Sequence, residues 1–566
     1  MGKDHEGRRK DMDGTEEERM MDNAYLADLL FPNVKTQAEE IIAKYPKRML
    51  PQGAMVTRLA PSPTGELHIG TLYAAFLSYH LAKQSGGAFF IRLDDTDQKR
   101  EVAGAGDRIS AGLKQFGIAY EEGFFAGGKE AGEYGPYVQS RRREIYQAFA
   151  KRLVAEGKAY PYFCDEVELN KMREAQKRQG IDIGYYGDFA ACRCLDASDI
   201  QRELGAGKAF TLRLRSPGDK HKRILLQDLF KGSVSMPENM HDIVLLKSDG
   251  LPTYHFAHAV DDSLMGTTHV LRGDEWLSSY PVHLQLFETL GFAAPVYGHL
   301  APIMKKEGAK KRKFSKRRDQ DGHAAYYRAL GIPAVALREY YMRLINSGFE
   351  DWRLANPMLP LKAYEIDLGR LSHSGPVFDM EKLRDIARDV ISQMDGVQAC
   401  DALAAWAEEF DPAFYKELSA DLPYAKKVLS IGRGGTQPRK DIDMWSQMRG
   451  QFSYFWDAFF DADKWKPEKA REAEFLSAYA DAYDHGLAKD EWFAHLKRVA
   501  GRQHFALDKK AYKMDPDAYA GTLSDAAAIL RKALTGREMT PDLYDIMQAM
   551  GRERVIKRLR EAAHAR

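Results

Sequence analysis

The strongest constraint on the fold is a strand–turn–helix–strand pattern between residues 54 and 93. Residues 54–60 form a short apolar stretch typical of a buried strand, and residues 61–65 (Pro-Ser-Pro-Thr-Gly) have the composition of a tight turn. Apolar residues then recur at helical spacing as far as Gly86 and Gly87, and residues 88–93 form the next apolar stretch. This β-α-β unit predicts an α/β fold with a Rossmann-like parallel sheet.

The rest of the chain divides by composition. Strands are predicted at 243–246, 269–272 and 296–304, with a helix at 276–290, whereas residues 158–240 are more polar. Beyond residue 325 helical patterns dominate, and a helix broken by Pro32 is expected at 23–44. We predict an N-terminal helical extension (1–53), a catalytic domain (54–157 and 241–325), an α+β insertion (158–240), and a mostly helical C-terminal half (326–395 and 396–566).

Composition excludes several classes of protein. The chain has 566 residues, of which 44% are hydrophobic and 29% charged, as in multidomain globular proteins. No apolar run approaches the ~20 residues that span a membrane, so no membrane partner is expected. The first 21 residues lack the apolar segment of a secretion signal. Only four cysteines occur, which predicts a reducing, cytoplasmic compartment.

The first motif with chemical content covers the turn and the start of the helix: Arg58-Leu-Ala-Pro-Ser-Pro-Thr-Gly-Glu-Leu-His-Ile-Gly-Thr71. A glycine-bearing turn before a helix N-terminus gathers backbone N–H groups that bind anions. His68 stands at the helix start, and Gly70 leaves room for a flat group to approach the backbone. A carboxylate that attacks a phosphate held at this turn is already ionised. Such a reaction needs positioning and electrostatic stabilisation, and no general base. For His68 and Gly70 alone, a helix-capping histidine is the simpler interpretation.

A basic segment follows much later in the chain. Residues 305–318 contain nine basic residues and one acid, although the net charge of the chain is only +1. Such a run is usually a solvated face. It includes Lys313-Phe-Ser-Lys-Arg317, however, and mobile lysines suit a pyrophosphate group whose charge increases. This composition predicts that Lys316, with Lys313 assisting, contacts the phosphates of a bound ligand.

Together the two motifs resemble those of class I aminoacyl-tRNA synthetases, in the form used by the glutamate and glutamine enzymes. Arg92-Leu-Asp-Asp-Thr-Asp97 is similar to that group's Arg-Ile-Glu-Asp-Thr-Asp, with Asp94 where glutamate is usual. The resemblance covers residues 54–390 well and the remainder loosely. It implies ATP with Mg²⁺, L-glutamate as substrate, tRNA(Glu) as partner with tRNA(Gln) as an open addition, and a monomer.

The expected amino-acid pocket lies in residues 252–262 and 269–279, which most resemble the glutamate branch of this family. Arg272 can bind a side-chain carboxylate through two parallel hydrogen bonds, which glutamine cannot match. A structural ion pair with Asp274 or Asp261 is the alternative role. The resemblance implies that glutamate is bound by Arg58, Ala60, Ser62, Asp94, Tyr254, His258 and Arg272. It implies that ATP is bound by Thr64, Gly65, His68, Gly70, Glu275, Trp276 and Lys316, with His68, Lys313 and Lys316 catalytic. For Tyr254 and Trp276, plain core packing is the alternative.

Three cysteines, Cys164, Cys192 and Cys194, lie in the insertion. Some relatives bind structural zinc there, and the resemblance implies that the insertion holds the acceptor end of the tRNA. Tyr162 stands where the first cysteine ligand would be, so Tyr185 or Tyr186 would have to complete the four ligands. Whether these cysteines bind zinc therefore stays open.

The C-terminal half carries a weaker signal. Residues 374–383 resemble the segment of the family that contacts the tRNA stem. Further on, basic residues stand close to aromatic ones, a combination that suits phosphate contacts and stacking of unpaired bases. An ordinary helical surface above core aromatics is the alternative. The residues are Arg433, Arg439, Lys440, Trp445, Tyr454 and Trp456.

Three functions remain in competition. The first is ATP-dependent activation of glutamate and its transfer to tRNA. The second is a truncated relative that modifies a tRNA base with glutamate, against which the roughly 250 residues after Arg318 argue. The third is a non-catalytic RNA-binding paralogue, in which the ATP motifs should have been lost.

Overall fold

The computed structural model describes residues 16–315, 318–372, 375–433 and 438–565. Contacts divide the chain into two compact units. One contains the residues up to Ala325 together with Tyr341–Phe378, and the other contains Tyr326–Tyr340 and the residues from Asp379 onward. The segment 326–395, predicted as one domain, thus has residues in both units, and the predicted domain boundaries stay predictions.

As far as residue 355 the chain contains both strands and helices. In order they are α1 (Glu16–Leu30), α2 (Ala38–Lys44), β1 (Val56–Leu59), α3 (Ile69–Gln84), β2 (Ala88–Ile91), α4 (Ala105–Gln115), β3 (Glu122–Phe125), β4 (Lys129–Ala131), α5 (Arg143–Ala155), β5 (Ala159–Tyr162), α6 (Glu166–Gln179), α7 (Ala197–Gly205), β6 (Thr211–Leu214), β7 (Arg223–Asp228), β8 (Gly232–Pro237), β9 (Val244–Leu246), α8 (Tyr254–Leu264), β10 (His269–Gly273), α9 (Tyr280–Leu290), β11 (Val296–Leu300), β12 (Met304–Glu307), β13 (Lys310–Lys313), α10 (Ala324–Leu330), α11 (Ala334–Ile345) and α12 (Phe349–Ala355).

The central sheet of the first unit is mainly parallel. One part has the order β1-β2-β3-β4 and the other β10-β11-β7-β8, with antiparallel pairs only at β3-β4 and β7-β8. The two parts meet where the Thr268 N–H donates to the carbonyl of Val56 at 3.0 Å and the Val56 N–H donates to Thr268 Oγ1 at 2.8 Å. The predicted Rossmann-like α/β fold is confirmed.

The β-α-β opening follows from local sequence. All four residues of β1 are buried, and α3 buries a broad apolar surface against β1, β2 and β10. Gly86 leaves the helix with φ of +69°, a conformation that glycine adopts without strain. At Gly87, a Cβ atom would lie 2.0 Å from the Met55 carbonyl oxygen, so only glycine allows β2 to begin beside β1.

The predicted insertion contributes to two sheets. Strands β5, β6 and β9 form a separate antiparallel sheet, as expected of an α+β segment. The hairpin β7-β8, which also arises between residues 158 and 240, instead extends the central sheet, because Asp228 pairs with Tyr297 of β11. A segment that is polar in sequence therefore reaches the catalytic region.

The N-terminal helices α1 and α2 pack on α5. The expected break at Pro32 is observed, since α1 ends at Leu30 and α2 begins at Ala38. Ala27, Leu30 and Phe31 join a core that includes Phe149 and Leu153. These helices thus cover apolar surface of the sheet domain.

The second unit is almost entirely helical. Beyond residue 378 the chain forms α13 (Met380–Gln393), α14 (Gly396–Phe410), α15 (Pro412–Ala420), α16 (Leu422–Leu429), α17 (Met448–Phe452), α18 (Ala470–Ala482), α19 (Lys489–Arg502), β14 (Phe505–Ala506), α20 (Lys509–Met514), β15 (Gly521–Thr522), α21 (Leu523–Thr535), α22 (Leu543–Met550) and α23 (Arg552–His564). One continuous core, which includes the fully buried Leu403, Phe475 and Leu530, holds these helices together. In neither unit does a described helix have the length and apolarity that crossing a membrane requires.

Candidate active site

The glycine-bearing turn lies at the carboxyl end of β1, where it leads into α3. His68 is the N-cap of α3, and its Nδ1 accepts a hydrogen bond from the Gly70 N–H at 3.2 Å. The capping role considered from sequence is therefore present. Gly65 has φ of +148° with nothing within 4 Å of the position of a Cβ atom, so the turn is open as well as dependent on glycine. Ser62 and Thr64 are exposed in this turn, and Ala60 is half-buried.

A buried ionic network lies beneath the turn. Arg58 Nη2 donates to Asp262 Oδ2 at 3.2 Å, and Arg92 Nη1 donates to Asp262 Oδ1 at 2.7 Å. Arg92 Nε also donates to Asp94 Oδ1 at 2.8 Å. The charges pair within the protein, which offsets the cost of removing them from water. This network fixes Arg58 and Asp94, two of the residues predicted to hold the amino acid.

The Asp94 carboxyl group is unusually easy to protonate. Burial raises its pKa to about 6, because the favourable charge of Arg92 offsets only part of the desolvation. Asp262 behaves oppositely. Burial would raise its pKa, but Arg58 and Arg92 hold the pKa well below the ordinary value. Asp262 is thus a permanent anion, whereas Asp94 changes charge near pH 6.

Arg272 lies in β10 and is only 6% exposed, yet no carboxylate pairs with it in the described part of the chain. Its Nε donates to His299 Nε2 at 3.0 Å, and its Nη2 lies 3.0 Å from His283 Nδ1. The alternative of an ion pair with Asp274 or Asp261 is wrong, because these carboxylates pair with Lys313 and with Arg92 and Arg142.

Aromatic rings surround this guanidinium. The Tyr254 ring lies 4.3 Å from that of Trp276 and stacks on that of His258 at 5.7 Å. His258 is wholly buried, and burial lowers its pKa to about 3, so it is neutral. Its Nε2 lies 2.7 Å from the Tyr297 hydroxyl, and its Nδ1 lies 2.6 Å from Asp262 Oδ2. These contacts link the Arg58 network to the surroundings of Arg272.

The basic segment forms the antiparallel hairpin β12-β13. Asp319 organises its end, accepting from Arg312 Nη1 and Nη2 and from the Ser315 N–H at 2.6–2.8 Å. The Phe314 ring packs edge-on against His68 at 6.5 Å. Lys313 Nζ lies 3.4 Å from Asp274 Oδ1, in the 3₁₀ turn 274–279 that also carries Glu275 and Trp276.

Phe314, in the described part of the lysine segment, thus contacts the glycine-bearing turn at His68. Glu275 is exposed and Trp276 half-buried, so both side chains are accessible to solvent. Lys316 lies outside the described residues, and its role stays a prediction.

The cysteines of the insertion do not have the arrangement of a zinc site. Cys164 Sγ and Cys192 Sγ are 3.3 Å apart, whereas two thiolates on one tetrahedral zinc are separated by about 3.8 Å. The Arg213 guanidinium lies 4.2 and 4.5 Å from the ring centres of Tyr162 and Tyr185, where a positive charge opposes a metal cation.

The two thiols instead form a hydrogen bond with each other. A hydrogen bond from Cys164 lowers the pKa of Cys192. Among the described residues, no group of three or more histidine, cysteine, aspartate or glutamate side chains is placed to hold a metal ion.

The proposed base-stacking platforms of the second unit are wrong. Trp445, Tyr454 and Trp456 are at most 4% exposed and belong to the core. Arg433 donates to the Met394 carbonyl, and Lys440 pairs with Asp389 at 2.7 Å. The signal that led to the interpretation, aromatic residues near basic ones, is equally typical of a helical core with charged edges.

Sequence reasoning missed four residues around the site: His299, His283, Asp228 and Asp262. Arg272 and His299 are register partners on the parallel strands β10 and β11, and this pairing could not be read from their separation in sequence. The one local signal was Asp262, an acid within a helix pattern that is otherwise mostly apolar on its inner face.

Comparisons with known proteins agree with the geometry. Residues 54–385 match the family described as tRNA synthetases class I (E and Q), catalytic domain, and residues 521–563 match an anticodon binding domain. A glutamate–tRNA ligase of Clostridium perfringens (strain 13) is 45% identical over 541 residues, covering 94% of this chain and 99% of the relative. One of Acetivibrio thermocellus is 42% identical, covering 95% and 99%.

A solved structure is also similar. The crystal structure of a glutamate tRNA ligase from Elizabethkingia meningosepticum, in complex with its amino acid, is 26% identical with a TM-score of 0.71. The match covers 90% of this chain and 99% of that one.

Proposed function

Because the chain belongs to the class I tRNA synthetases of the glutamate and glutamine group, we propose that it activates L-glutamate with MgATP and transfers it to the 3′ end of tRNA(Glu). In the first step an oxygen of the glutamate α-carboxylate attacks the α-phosphorus of ATP. The bond from that phosphorus to the bridging oxygen breaks, and pyrophosphate leaves with the electron pair. In the second step a hydroxyl of the terminal ribose attacks the acyl carbon of the adenylate, and AMP leaves.

One observation carries the choice of glutamate. Arg272 is buried with its positive charge unmatched by any carboxylate among the described residues. A buried cation is costly unless paired, so the pocket gains most from a ligand that supplies an anion. The side-chain carboxylate of glutamate supplies it, and the uncharged amide of glutamine does not.

The other predicted site residues bind either glutamate or ATP. In this proposal Arg58, Ala60, Ser62 and Asp94 hold the α-amino and carboxyl groups, and Tyr254, His258 and Arg272 surround the side chain. Thr64, Gly65, His68, Gly70, Glu275 and Trp276 bind ATP, and Lys313 and Lys316 neutralise the phosphates. The α3 N-terminus adds backbone N–H groups, which favour the negative charge of the transition state.

We assign the tRNA contacts by segment. The insertion (158–240) holds the acceptor end, residues 326–395 contact the stem, and residues 396–566 bind the anticodon. The match of residues 521–563 to an anticodon binding domain supports the last assignment. Cys164, Cys192, Cys194 and Cys400 are free thiols, which supports the cytoplasm as location. We propose a monomer, which light scattering can test.

The direct experiment is charging of tRNA transcripts with labelled glutamate. Wild type should form a glutamyl ester on tRNA(Glu), and the same assay with tRNA(Gln) tests the second acceptor. Lys316→Ala should slow charging strongly. A transcript that lacks its 3′-terminal adenosine should accept no glutamate, whereas modification of an internal base would not need that adenosine, which separates the truncated-relative function. Absence of any product would favour the non-catalytic paralogue and contradict the proposal.

Selectivity is tested with Arg272→Ala. Removing one member of a desolvated ion pair costs about 3–5 kcal/mol, so the preference for glutamate over glutamine should collapse. The matched control is Arg143→Ala, an exposed arginine at the start of α5, which should keep the wild-type preference. Unchanged selectivity in Arg272→Ala would remove Arg272 from the pocket.

A further inference from the structure

The two shortest hydrogen bonds of Arg272 end on histidine nitrogens, not on oxygens. Nε donates to His299 Nε2 at 3.0 Å, and Nη2 lies 3.0 Å from His283 Nδ1. The other contacts, to the Tyr254 hydroxyl at 3.4 Å and the Trp276 carbonyl at 3.5 Å, are long. A guanidinium cannot accept a hydrogen bond, so each histidine nitrogen that faces it is unprotonated.

The orientation of His299 is fixed from its other side. Its Nδ1 lies 2.6 Å from Asp228 Oδ2, so the proton of the neutral ring is on Nδ1 and the lone pair of Nε2 faces Arg272. Asp228 is itself held by backbone N–H groups of Phe230, Lys231 and His299, at 2.9–3.2 Å. His299 is wholly buried, and Asp228 is only 5% exposed.

The choice of a neutral acceptor has an electrostatic consequence. A carboxylate in direct contact would orient Arg272 equally well, but it would also neutralise the guanidinium and compete with an incoming anion. Histidine fixes the direction of Nε and leaves the charge of Arg272 available. The negative charge of Asp228 is one imidazole ring further away, where its field on the ligand position is weaker.

From these contacts we infer that His299, oriented by Asp228, is a positioning residue that aims Arg272 at the side-chain carboxylate of glutamate and so sets the selectivity for glutamate. The inference rests on the proposed function, because it takes glutamate as the ligand of Arg272. The residues that position Arg272 extend beyond the pocket, because Asp228 belongs to the β7-β8 hairpin. This hairpin arises from the segment predicted to be the insertion.

Two substitutions of His299 separate its two hydrogen bonds. His299→Gln places a side-chain oxygen near the position of Nε2, which keeps an acceptor for Arg272 and loses the donor to Asp228. His299→Asn places its amide near the position of Nδ1, which keeps the donor to Asp228 and loses the acceptor for Arg272. Both remove the ring, so a role in packing alone would affect the two variants alike.

The measurement is glutamate affinity of the full chain by isothermal titration calorimetry, with a tRNA(Glu) transcript present, alongside KM and kcat for charging. A lost hydrogen bond to a charged group predicts that the Kd for glutamate rises about tenfold or more in His299→Asn. His299→Gln should stay within about threefold of wild type, on the same scale. KM for ATP should not change in either, and the glutamate-to-glutamine preference should fall only in His299→Asn.

The matched control is His269→Asn. His269 begins the same strand as Arg272, but the hydrogen bond of its ring is to Thr268 Oγ1. This variant should bind glutamate like wild type. Thermal unfolding of each variant shows whether the sheet is intact, and if His299→Asn does not fold, His299→Gln and Asp228→Asn still decide the inference. Asp228→Asn should weaken glutamate binding while leaving KM for ATP unchanged.

Equal glutamate affinity in His299→Asn and His299→Gln, or in Asp228→Asn and wild type, would overturn the inference. Failure of the proposed function looks different: wild type would then form no glutamyl-tRNA at all. If wild type binds glutamate without charging tRNA, the glutamate affinities of the variants still test the role of His299.

Discussion

Asp262 offers the largest single effect on stability that the structure allows us to work out. Its side chain is wholly buried, accepts from Arg92 at 2.7 Å and from Arg58 at 3.2 Å, and lies 2.6 Å from His258 Nδ1. Asp262→Ala would leave Arg58 without its one carboxylate partner among the described residues, and Arg92 with fewer. Breaking a buried ion pair by removing one partner costs about 3–5 kcal/mol, because the remaining charge stays desolvated.

The pH dependence of this contribution has a definite sign. The two arginines hold the folded-state pKa of Asp262 well below its unfolded value, so the carboxylate stabilises the fold fully at neutral pH. The contribution is present above about pH 4 and is lost as the pH falls through the lowered pKa of the folded state. The full cost of Asp262→Ala should therefore be measured at pH 7.

Urea unfolding of the full chain, followed by tryptophan fluorescence, is the assay. For a unit of this size the free energy of unfolding falls by about 3 kcal/mol or more per M of urea. The loss of the ion pair should therefore lower the urea midpoint of the first unit by about 1 M. The transition of the helical unit should stay in place. Asp182→Ala, which removes an exposed pair with Lys220, is the control and should not shift either midpoint. A shift in Asp262→Ala no larger than in Asp182→Ala would refute the reasoning.

Three further predictions concern the substrates. If Asp94 binds the α-ammonium group, its protonation near the raised pKa of about 6 should increase KM for glutamate as the pH falls below 6. Asp94→Asn should show a high KM that does not depend on pH in this range. A wild-type KM that is flat between pH 5 and 7 would contradict this prediction. Lys313→Ala should slow ATP–pyrophosphate exchange by about tenfold, which is the effect of losing one charged hydrogen bond, and should leave glutamate affinity unchanged. An unchanged exchange rate would remove Lys313 from the site. Gly65→Ala, at φ of +148°, should be strained and weaken ATP binding, whereas Gly180→Ala, also strained at φ of +67° at the C-cap of α6, should leave ATP binding unchanged. Equal ATP affinity in the two variants would show that the turn tolerates a side chain.

Local patterns predicted the parts of the fold that depend on local interactions. The β-α-β opening, the break between α1 and α2, and the helical second half all follow from periodicity, turn residues and Pro32. His68 was predictable for the same reason, since a cap is decided within one helical turn. Arg272 was singled out by resemblance and by its chemistry, because a guanidinium can hold a carboxylate through two parallel hydrogen bonds, and its place in the pocket stays a prediction.

The parts that failed depend on contacts between distant residues. No local pattern indicates that β7, which ends at Asp228, pairs with β11, or that His299 stands opposite Arg272. Likewise, Trp445 and Trp456 lie in short, irregular helical stretches where the apolar period is too brief to distinguish a core from a surface. Register and burial are decided by the whole fold.

The hydrogen bonds between Val56 and Thr268 join residues 212 positions apart, and this has a consequence for biosynthesis. At roughly 5–20 residues per second, a ribosome needs about 10–40 s to add the missing neighbour of β1 after β1 itself has emerged. Throughout that interval the edge of β1 presents unpaired backbone N–H and carbonyl groups, which can pair with the strands of other nascent chains. The strand at the centre of the finished sheet is therefore an exposed edge for this part of translation.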